Sequence, residues 1–177
     1  EIADTIVVDK TITLDLNGKT ISGTDTSNAH YEMIKNNGNL TITGNGTISF
    51  KYTGAGDPAF GWGSYTIGNY GVLVVENGLI ENTTELNTSS VVHMYSAIQQ
   101  GWGATSTTIN GGTISTPTYR SIRINNGTLT INDGTIDGQV WMQPFALGTS
   151  LTINGGSFEP NGVYGSSVYV TNNEKSV

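Results

Sequence analysis

The stretch Leu129-Thr-Ile-Asn-Asp-Gly-Thr-Ile136 decides the fold, because the chain repeats it with small changes along its length. It alternates apolar and polar residues, breaks at an Asn/Asp/Gly pair, and then alternates again. That pattern predicts two short strands that meet at a sharp bend. The sequence contains six copies in all. The other five are Leu14-Asp-Leu-Asn-Gly-Lys-Thr-Ile21, Leu40-Thr-Ile-Thr-Gly-Asn-Gly-Thr-Ile48, Leu73-Val-Val-Glu-Asn-Gly-Leu-Ile80, Thr107-Thr-Ile-Asn-Gly-Gly-Thr-Ile114 and Leu151-Thr-Ile-Asn-Gly-Gly-Ser-Phe158.

The spacing of the copies favours stacking over hairpins. Asn-Gly between alternating strands would ordinarily predict an antiparallel hairpin. However, Gly112 to Gly134 and Gly134 to Gly156 are both 22 residues, a period that is too long for a two-stranded ribbon and typical of a stacking repeat. The sequence therefore predicts an all-β chain, a single-stranded parallel β-helix (β-solenoid) of about six coils with a 22-residue basic repeat.

Stacking of the copies predicts three internal rows of side chains. At roughly 1.5–3 kcal/mol for each fully buried aliphatic residue, these rows are expected to be the main source of stability. The rows are Leu40, Leu73, Thr107, Leu129 and Leu151; Ile42, Val75, Ile109, Ile131 and Ile153; and Ile48, Ile80, Ile114, Ile136 and Phe158.

Length and composition indicate one domain over residues 1–177, with 1–23 as a first coil or cap and 171–177 as a polar tail or linker. The net charge of −7 argues against a nucleic-acid partner, since phosphate binding needs clustered Lys and Arg. No apolar run is long enough to span a bilayer, so we expect no membrane insertion. The chain has no cysteine and begins at Glu1 without Met, and we expect it to be a processed piece of a larger multidomain surface protein.

The opening residues Ile6-Val-Val-Asp-Lys-Thr-Ile-Thr-Leu-Asp-Leu-Asn-Gly-Lys-Thr-Ile-Ser-Gly23 carry a family resemblance. They resemble the first coil of right-handed parallel β-helix proteins of the pectate-lyase-like class, particularly the repeats of large bacterial surface proteins and adhesins. The resemblance implies an extracellular, cell-surface location. Together with the twist preference of strands it also implies right-handed winding. It implies no single activity, because the fold hosts lyases, hydrolases, adhesins and phage fibres alike.

Two longer intervals between copies predict loops that carry binding residues. Gly46 to Gly78 is 32 residues and Gly78 to Gly112 is 34, and insertions in solenoids map to loops on one side. Each loop contains a Gly-Trp-Gly sequence, around Trp62 and Trp102. An indole between glycines is either folded onto the column or displayed to a ligand, and we favour display. His93 joins these two residues as a candidate if both loops emerge on the same side.

An aromatic residue falls near the start of the variable strand in each repeat. This column is either an exposed platform for sugar rings or an internal ladder that only packs, and the alternation of residues does not decide between them. Its members are Tyr31, Tyr65, Tyr95, Tyr119, Trp141 and Tyr164, of which Tyr65, Tyr95, Tyr119 and Trp141 are candidate ligand-binding residues.

Catalytic and metal signals are weak. Glu81, Asp137 and Glu159 occupy the same position of the repeat, but a column of solvated turn residues explains them. The motifs of pectate lyases and polygalacturonases are absent, so we predict no catalytic residues and no cofactor. Arg123, one of only two arginines, is a candidate ligand-binding residue. Neither histidine has metal-ligand spacing, so no metal site is predicted, although calcium on an aspartate stays open.

We therefore expect a non-catalytic extracellular recognition module, an adhesin or carbohydrate-binding domain whose partner is a glycan or cell-surface polysaccharide. Rigid display of aromatic loops would limit the cost of ordering them on binding. The alternatives are a polysaccharide lyase or glycoside hydrolase, a structural stalk or fibre segment, and an ice-binding surface. The last rests on an outward row of Thr41, Thr108, Thr130 and Thr152.

Overall fold

The structure, a computed structural model, describes residues 4–27, 30–54, 63–85, 95–103, 106–143, 148–160 and 165–171, without the side chains of 118 and 119. Every regular element in these ranges is a strand. Accordingly, none of the described segments is a helix long and apolar enough to cross a membrane. The strands are β1 Ile6–Val8, β2 Thr11–Asp15, β3 Thr20–Asp25, β4 Tyr31–Asn36, β5 Asn39–Thr43, β6 Thr47–Tyr52, β7 Ser64–Asn69, β8 Val72–Val75, β9 Leu79–Asn82, β10 Ser96–Gln100, β11 Ser106–Ile109, β12 Thr113–Ile124, β13 Thr128–Ile131, β14 Thr135–Met142, β15 Ser150–Ile153, β16 Ser157–Glu159 and β17 Val168–Val170.

The strands pair in three parallel ladders. Ladder 1 contains β1, β4, β7, β10 and β17, and ladder 2 contains β2, β5, β8, β11, β13 and β15. Ladder 3 contains β3, β6, β9 and β16. The long strands β12 and β14 serve ladder 3 with their first residues and ladder 1 with their last. The chain thus passes through ladders 1, 2 and 3 in the same order each time. This all-β, parallel arrangement is compatible with a β-solenoid.

The register confirms the three predicted internal rows. Leu40 pairs with Leu73, Leu73 with Thr107, Thr107 with Leu129, and Leu129 with Leu151. The other two rows pair in the same way, and their members before the last copy are buried. The rows lose cover in the last copy, where Ile153 is 43% exposed.

The first copy of the repeat begins two residues earlier than its sequence predicts. Ile12 pairs with Leu40, and Leu14 pairs with Ile42, so Leu14 does not head its row. The two additional residues are absorbed at the bend, where Asn17 and Gly18 adopt φ of 44° and 71°. Leu16 turns inward there and is 2% exposed, which fills the space beneath the next corner.

The corners between ladders 2 and 3 stack so closely that they require glycine. Gly112 has φ of 80°, and a Cβ built on it would lie 2.4 Å from the carbonyl oxygen of Gly78. Any other residue at this position would therefore be strained by the left-handed backbone conformation, and its Cβ would clash with the corner of the preceding repeat.

Side-chain amides complete the corners between ladders 1 and 2. Buried Asn36 donates from Nδ2 to Oδ1 of Asn69 at 2.8 Å, and Asn69 donates from Nδ2 to the carbonyl of Ser106 at 2.9 Å. One pass further on, Gln100 donates from Nε2 to the carbonyl of Asn126 at 2.6 Å. The bonds to Ser106 and Asn126 satisfy backbone carbonyls next to the turns, and the bond between Asn36 and Asn69 links two successive corners.

The outward face of ladder 2 carries the predicted threonine row. Thr108 and Thr130 are neighbours in it, but Val74 separates Thr41 from Thr108. The adjacent column consists of asparagines that bond to one another: Asn154 donates to Asn132, and Asn132 to Asn110, each at 2.7 Å. This surface therefore satisfies part of its own hydrogen-bonding capacity.

Alanine substitutions within one row test whether the rows stabilise the fold. Ile131→Ala removes a fully buried side chain and should lower the free energy of unfolding by about 2–5 kcal/mol. Ile153→Ala, at the next position of the same row, should cost about 1 kcal/mol or less because that side chain is already part-exposed. Urea unfolding of both variants measures the difference, and equal losses would contradict the burial of the row.

Glycine substitutions separate backbone strain from stacking. Gly148 has φ of 86° with nothing within 4 Å of a built Cβ, so Gly148→Ala should cost only the left-handed strain, about 1–2 kcal/mol. Gly112→Ala has a similar φ but also meets the Gly78 carbonyl, so its unfolding free energy should fall further. Comparable midpoints of thermal unfolding for the two variants would show that the corners are not tightly stacked.

Candidate functional site

Two successive residues point inward near the start of the strands of ladder 1. Met33 and Ile34 are both buried in the apolar core, and so are Ala97 and Ile98 in β10. Strict alternation would place one of each pair outside. The irregularity therefore brings the residues on either side of each pair to one surface, which we call the outer face of ladder 1. These residues are Glu32 and Lys35 in β4, and Ser96 and Gln99 in β10. In β12 and β14 the same irregularity is a register shift between Arg120 and Ile122.

Glu32 forms the centre of a buried polar cluster on this face. It is 5% exposed, accepts a hydrogen bond from the Tyr70 hydroxyl, and lies 3.2 Å from Nε2 of His30. Gly68 makes room for the carboxylate, since a Cβ built on that glycine would lie 2.2 Å from Oε1 of Glu32. Lys35 places its Nζ 5.2 Å from the centre of the Tyr70 ring. The cluster thus combines one carboxylate with two polar partners, His30 and Tyr70, and a cation beside the Tyr70 ring.

Both phenols of this region are held in the neutral form. Burial raises the pKa of Tyr70, and its hydrogen bond to the Glu32 carboxylate raises it further. Burial also raises the pKa of Tyr65, and the nearby Arg123 guanidinium partly opposes that shift. Near neutral pH the Tyr70 hydroxyl therefore donates to the Glu32 carboxylate, whereas the Tyr65 hydroxyl accepts from the Arg123 guanidinium.

The two arginines of the chain converge on a single indole. The guanidinium carbons of Arg120 and Arg123 lie 3.8 Å and 4.7 Å from the centre of the Trp141 ring. Nη1 of Arg123 is also 3.4 Å from the Tyr65 hydroxyl oxygen. Burial lowers the pKa of Arg123, an effect that Tyr65 opposes. A guanidinium on an aromatic face is a stabilising cation–π arrangement.

Trp102 lies on the turn that follows β10 and is 62% exposed. The turn is anchored on both sides, because the Gly101 amide donates to the Asn69 carbonyl at 2.9 Å and Nδ2 of Asn126 donates to the Trp102 carbonyl at 2.6 Å. Gly101 packs on the Tyr70 ring, where a Cβ would lie 2.3 Å from a ring carbon. The turn that carries the exposed indole therefore packs on Tyr70, a member of the Glu32 cluster.

The structure brings some of the predicted binding residues together and separates others. Tyr65, Arg123 and Trp141 share the outer face of ladder 1, whereas Tyr95 is buried in the core and stacks on Tyr52 at 5.8 Å. Trp62 and His93 lie outside the described residues, and so does the side chain of Tyr119.

The predicted aromatic column does not form among the described residues. Tyr31 pairs with Ser64 rather than with Tyr65, and Tyr65 pairs with Ser96. Trp141 pairs with Arg123 and is 8% exposed. Equal spacing in sequence does not give equal register, since the strands of ladder 1 begin at different points and contain irregularities.

The acidic column forms on ladder 3. Glu81 pairs with Ser115, Ser115 with Asp137, and Asp137 with Glu159. Ser115 donates to Asp137 Oδ2 at 2.7 Å, as expected for turn-side surface residues. Among the residues that the structure describes, no group of three or more His, Asp or Glu side chains is placed to hold a metal ion.

Sequence reasoning did not identify Glu32, Tyr70 and Gln99 as members of this region. The available signal was Glu32 itself, a charged residue directly before the apolar pair Met33 and Ile34 in a strand. Comparisons with known proteins add no assignment: no family model matches the chain, and no curated protein or solved structure is detectably similar to it.

The raised pKa of Tyr70 predicts a loss of stability at high pH. Above about pH 10 the unfolded chain releases the phenolic proton while the folded chain retains it, so the free energy of unfolding falls as pH rises. Tyr70→Phe should reduce this slope, although it should also cost about 1–3 kcal/mol near neutral pH because Glu32 loses a donor. Urea unfolding from pH 8 to 11.5 measures both effects.

Tyr169→Phe is the matched control for the loss near neutral pH, because it removes a hydroxyl from a side chain that is 49% exposed. It should change the free energy of unfolding near neutral pH by about 0.5 kcal/mol or less. A Tyr70→Phe variant with the alkaline slope of the unsubstituted protein would mean that the buried hydroxyl does not retain its proton on folding.

Proposed function

We propose that this chain is a non-catalytic glycan-recognition module of a bacterial cell-surface protein, built on one right-handed parallel β-helix of about six coils. The in-register rows and the fixed order of the three ladders support the β-helix. The resemblance of the opening residues to pectate-lyase-like surface repeats supports the handedness and the extracellular location.

The observation that carries the proposal is the exposed indole of Trp102. The side chain is 62% exposed, and its backbone is fixed by the Gly101 and Asn126 hydrogen bonds. Sugars present flat apolar faces that stack on aromatic rings. Because the turn is already ordered, little conformational freedom is lost when a ligand docks.

Polar groups next to Trp102 supply the second requirement of a sugar site. Gln99 precedes it by three residues, about 10 Å of extended chain, and lies on the outer face of ladder 1. Tyr70, which packs against Gly101, contributes a hydroxyl beside the same turn. An aromatic platform with nearby amide and hydroxyl groups is the usual composition of a carbohydrate site.

The contacts favour binding over hydrolysis. Glycoside hydrolysis ordinarily needs two carboxylates on opposite sides of the scissile bond. In the described part of the outer face of ladder 1, the buried carboxylate is that of Glu32, which already contacts Tyr70 and His30. A lyase or hydrolase therefore remains the alternative rather than the proposal.

A glycan array tests the proposal with the unsubstituted protein, Trp102→Ala and Ile153→Ala. Trp102→Ala should weaken binding about tenfold or more, as expected for an aromatic residue at the centre of an interface. Ile153→Ala removes a part-exposed apolar side chain from ladder 2, outside the outer face of ladder 1, and should bind normally. Trp62→Ala, tested alongside, reports on the other predicted loop.

Unchanged binding by Trp102→Ala would reject the proposed platform. Progressive shortening of the bound glycan during incubation would instead support the enzymatic alternative, which separates the two functions in one experiment.

A further inference from the structure

The outer face of ladder 1 contains buried polar atoms that have no hydrogen-bond partner in the described part of the protein. Each belongs to a side chain that is at most 8% exposed. Natural proteins rarely bury such atoms unpaired, because they lose their hydrogen bonds to water. The atoms are Oγ of Ser96, Oε1 of Gln99, Oε1 of Gln139 and Nε1 of Trp141.

The neighbouring bonds fix the chemistry of these atoms. Nε2 of Gln99 donates to the Gln100 carbonyl at 2.9 Å, and Nε2 of Gln139 donates to the Ser166 carbonyl at 3.0 Å. The open atoms of both amides are therefore oxygens, which accept hydrogen bonds. Nε1 of Trp141 can only donate. The face thus offers two acceptors for hydroxyl groups and one donor for an oxygen.

The register places these groups beside the two arginines. Gln99 pairs with Arg123, and Arg123 pairs with Trp141, while Arg120 pairs with Gln139. Side chains at paired positions on one face of neighbouring strands are about 5 Å apart. A chain with a net charge of −7 therefore concentrates both of its arginines within reach of one small ligand group.

We propose that the surface formed by Gln99, Arg120, Arg123, Gln139 and Trp141 binds the acidic unit of a glycan, a sugar that carries a carboxylate. This inference rests on the proposed glycan-binding function and specifies its ligand class. The guanidinium groups and the Trp141 N–H receive the carboxylate, since arginine matches the planar geometry of that group. Sugar hydroxyls donate to the two glutamine oxygens. Arg120 is half-buried where the other four are buried, so the ligand enters on its side.

Titration followed by NMR tests the two levels of this inference separately. The protein has three tryptophans, and the missing indole N–H signals in Trp141→Phe and Trp102→Ala identify those of Trp141 and Trp102. The probes are oligomers of glucuronate, galacturonate and mannuronate, each paired with its carboxyl-reduced, neutral form. We expect an acidic oligomer to shift both signals and its neutral form to shift the Trp102 signal alone.

Charge removal supplies the second measurement. Arg120→Gln should weaken binding of the acidic oligomer about tenfold or more and leave the neutral form unaffected, because only the carboxylate contacts the guanidinium. Lys19→Gln removes an exposed cation outside this face and should change neither affinity. Cooperative thermal unfolding of both variants shows that the fold is retained, with a slightly lower midpoint in Arg120→Gln because its cation–π contact with Trp141 is lost.

The outcomes are distinguishable. A Trp102 signal that shifts equally with acidic and neutral oligomers, with no response at Trp141, overturns the carboxylate site and leaves glycan recognition standing. If neither indole signal shifts with any of the three acidic oligomers, both the carboxylate site and the glycan platform are contradicted. Equal affinity of Arg120→Gln and the unsubstituted protein for the acidic form also overturns the inference.

Discussion

Parallel pairing in register is the constraint on which the rest of this structure depends. Each strand lies between its counterparts from the passes before and after it, so a residue contacts its own equivalents above and below. Isoleucine at one position therefore requires an apolar residue at the same position of the next pass, as in the row through Ile80, Ile114 and Ile136. The same constraint forces glycine at Gly112, where one corner rests on the carbonyl of another. Repetition in the sequence is a direct consequence of this contact.

The inward apolar rows offset the free-energy cost of burying charged side chains on the outer face of ladder 1. Burying Glu32 and Arg123 removes charged groups from water, which usually costs more than their contacts return. The apolar rows run behind the same strands and offset that cost, since each buried aliphatic side chain contributes roughly 1.5–3 kcal/mol. Where two successive residues such as Met33 and Ile34 both point inward, the strand gains apolar contact and turns its polar neighbours to the opposite side.

The sequence predicts the stacked rows well because burial imposes alternation, and alternation is visible without coordinates. It misplaces the first copy by two residues because Leu14 and Leu16 are equally apolar, and only the bend at Asn17 shows which of them lies in the row. The prediction of an aromatic column is wrong for a related reason, because counting residues between rings assumes that the strands are regular. The bond between Tyr70 and Glu32 joins residues 38 apart and depends on Gly68 having no side chain, which no local pattern reveals.

The arrangement of charge on this face follows from the same stacking. A ligand that approaches a chain of net charge −7 is steered by the whole molecule, but it is bound by the groups within a few ångströms of it. Partial burial strengthens those short-range interactions because fewer water molecules screen them. Arg120 and Arg123 are held over Trp141 by strands that cannot shift without breaking two ladders. On the proposed binding surface, selectivity would therefore be set by the fixed positions of the side chains that the stacked strands present.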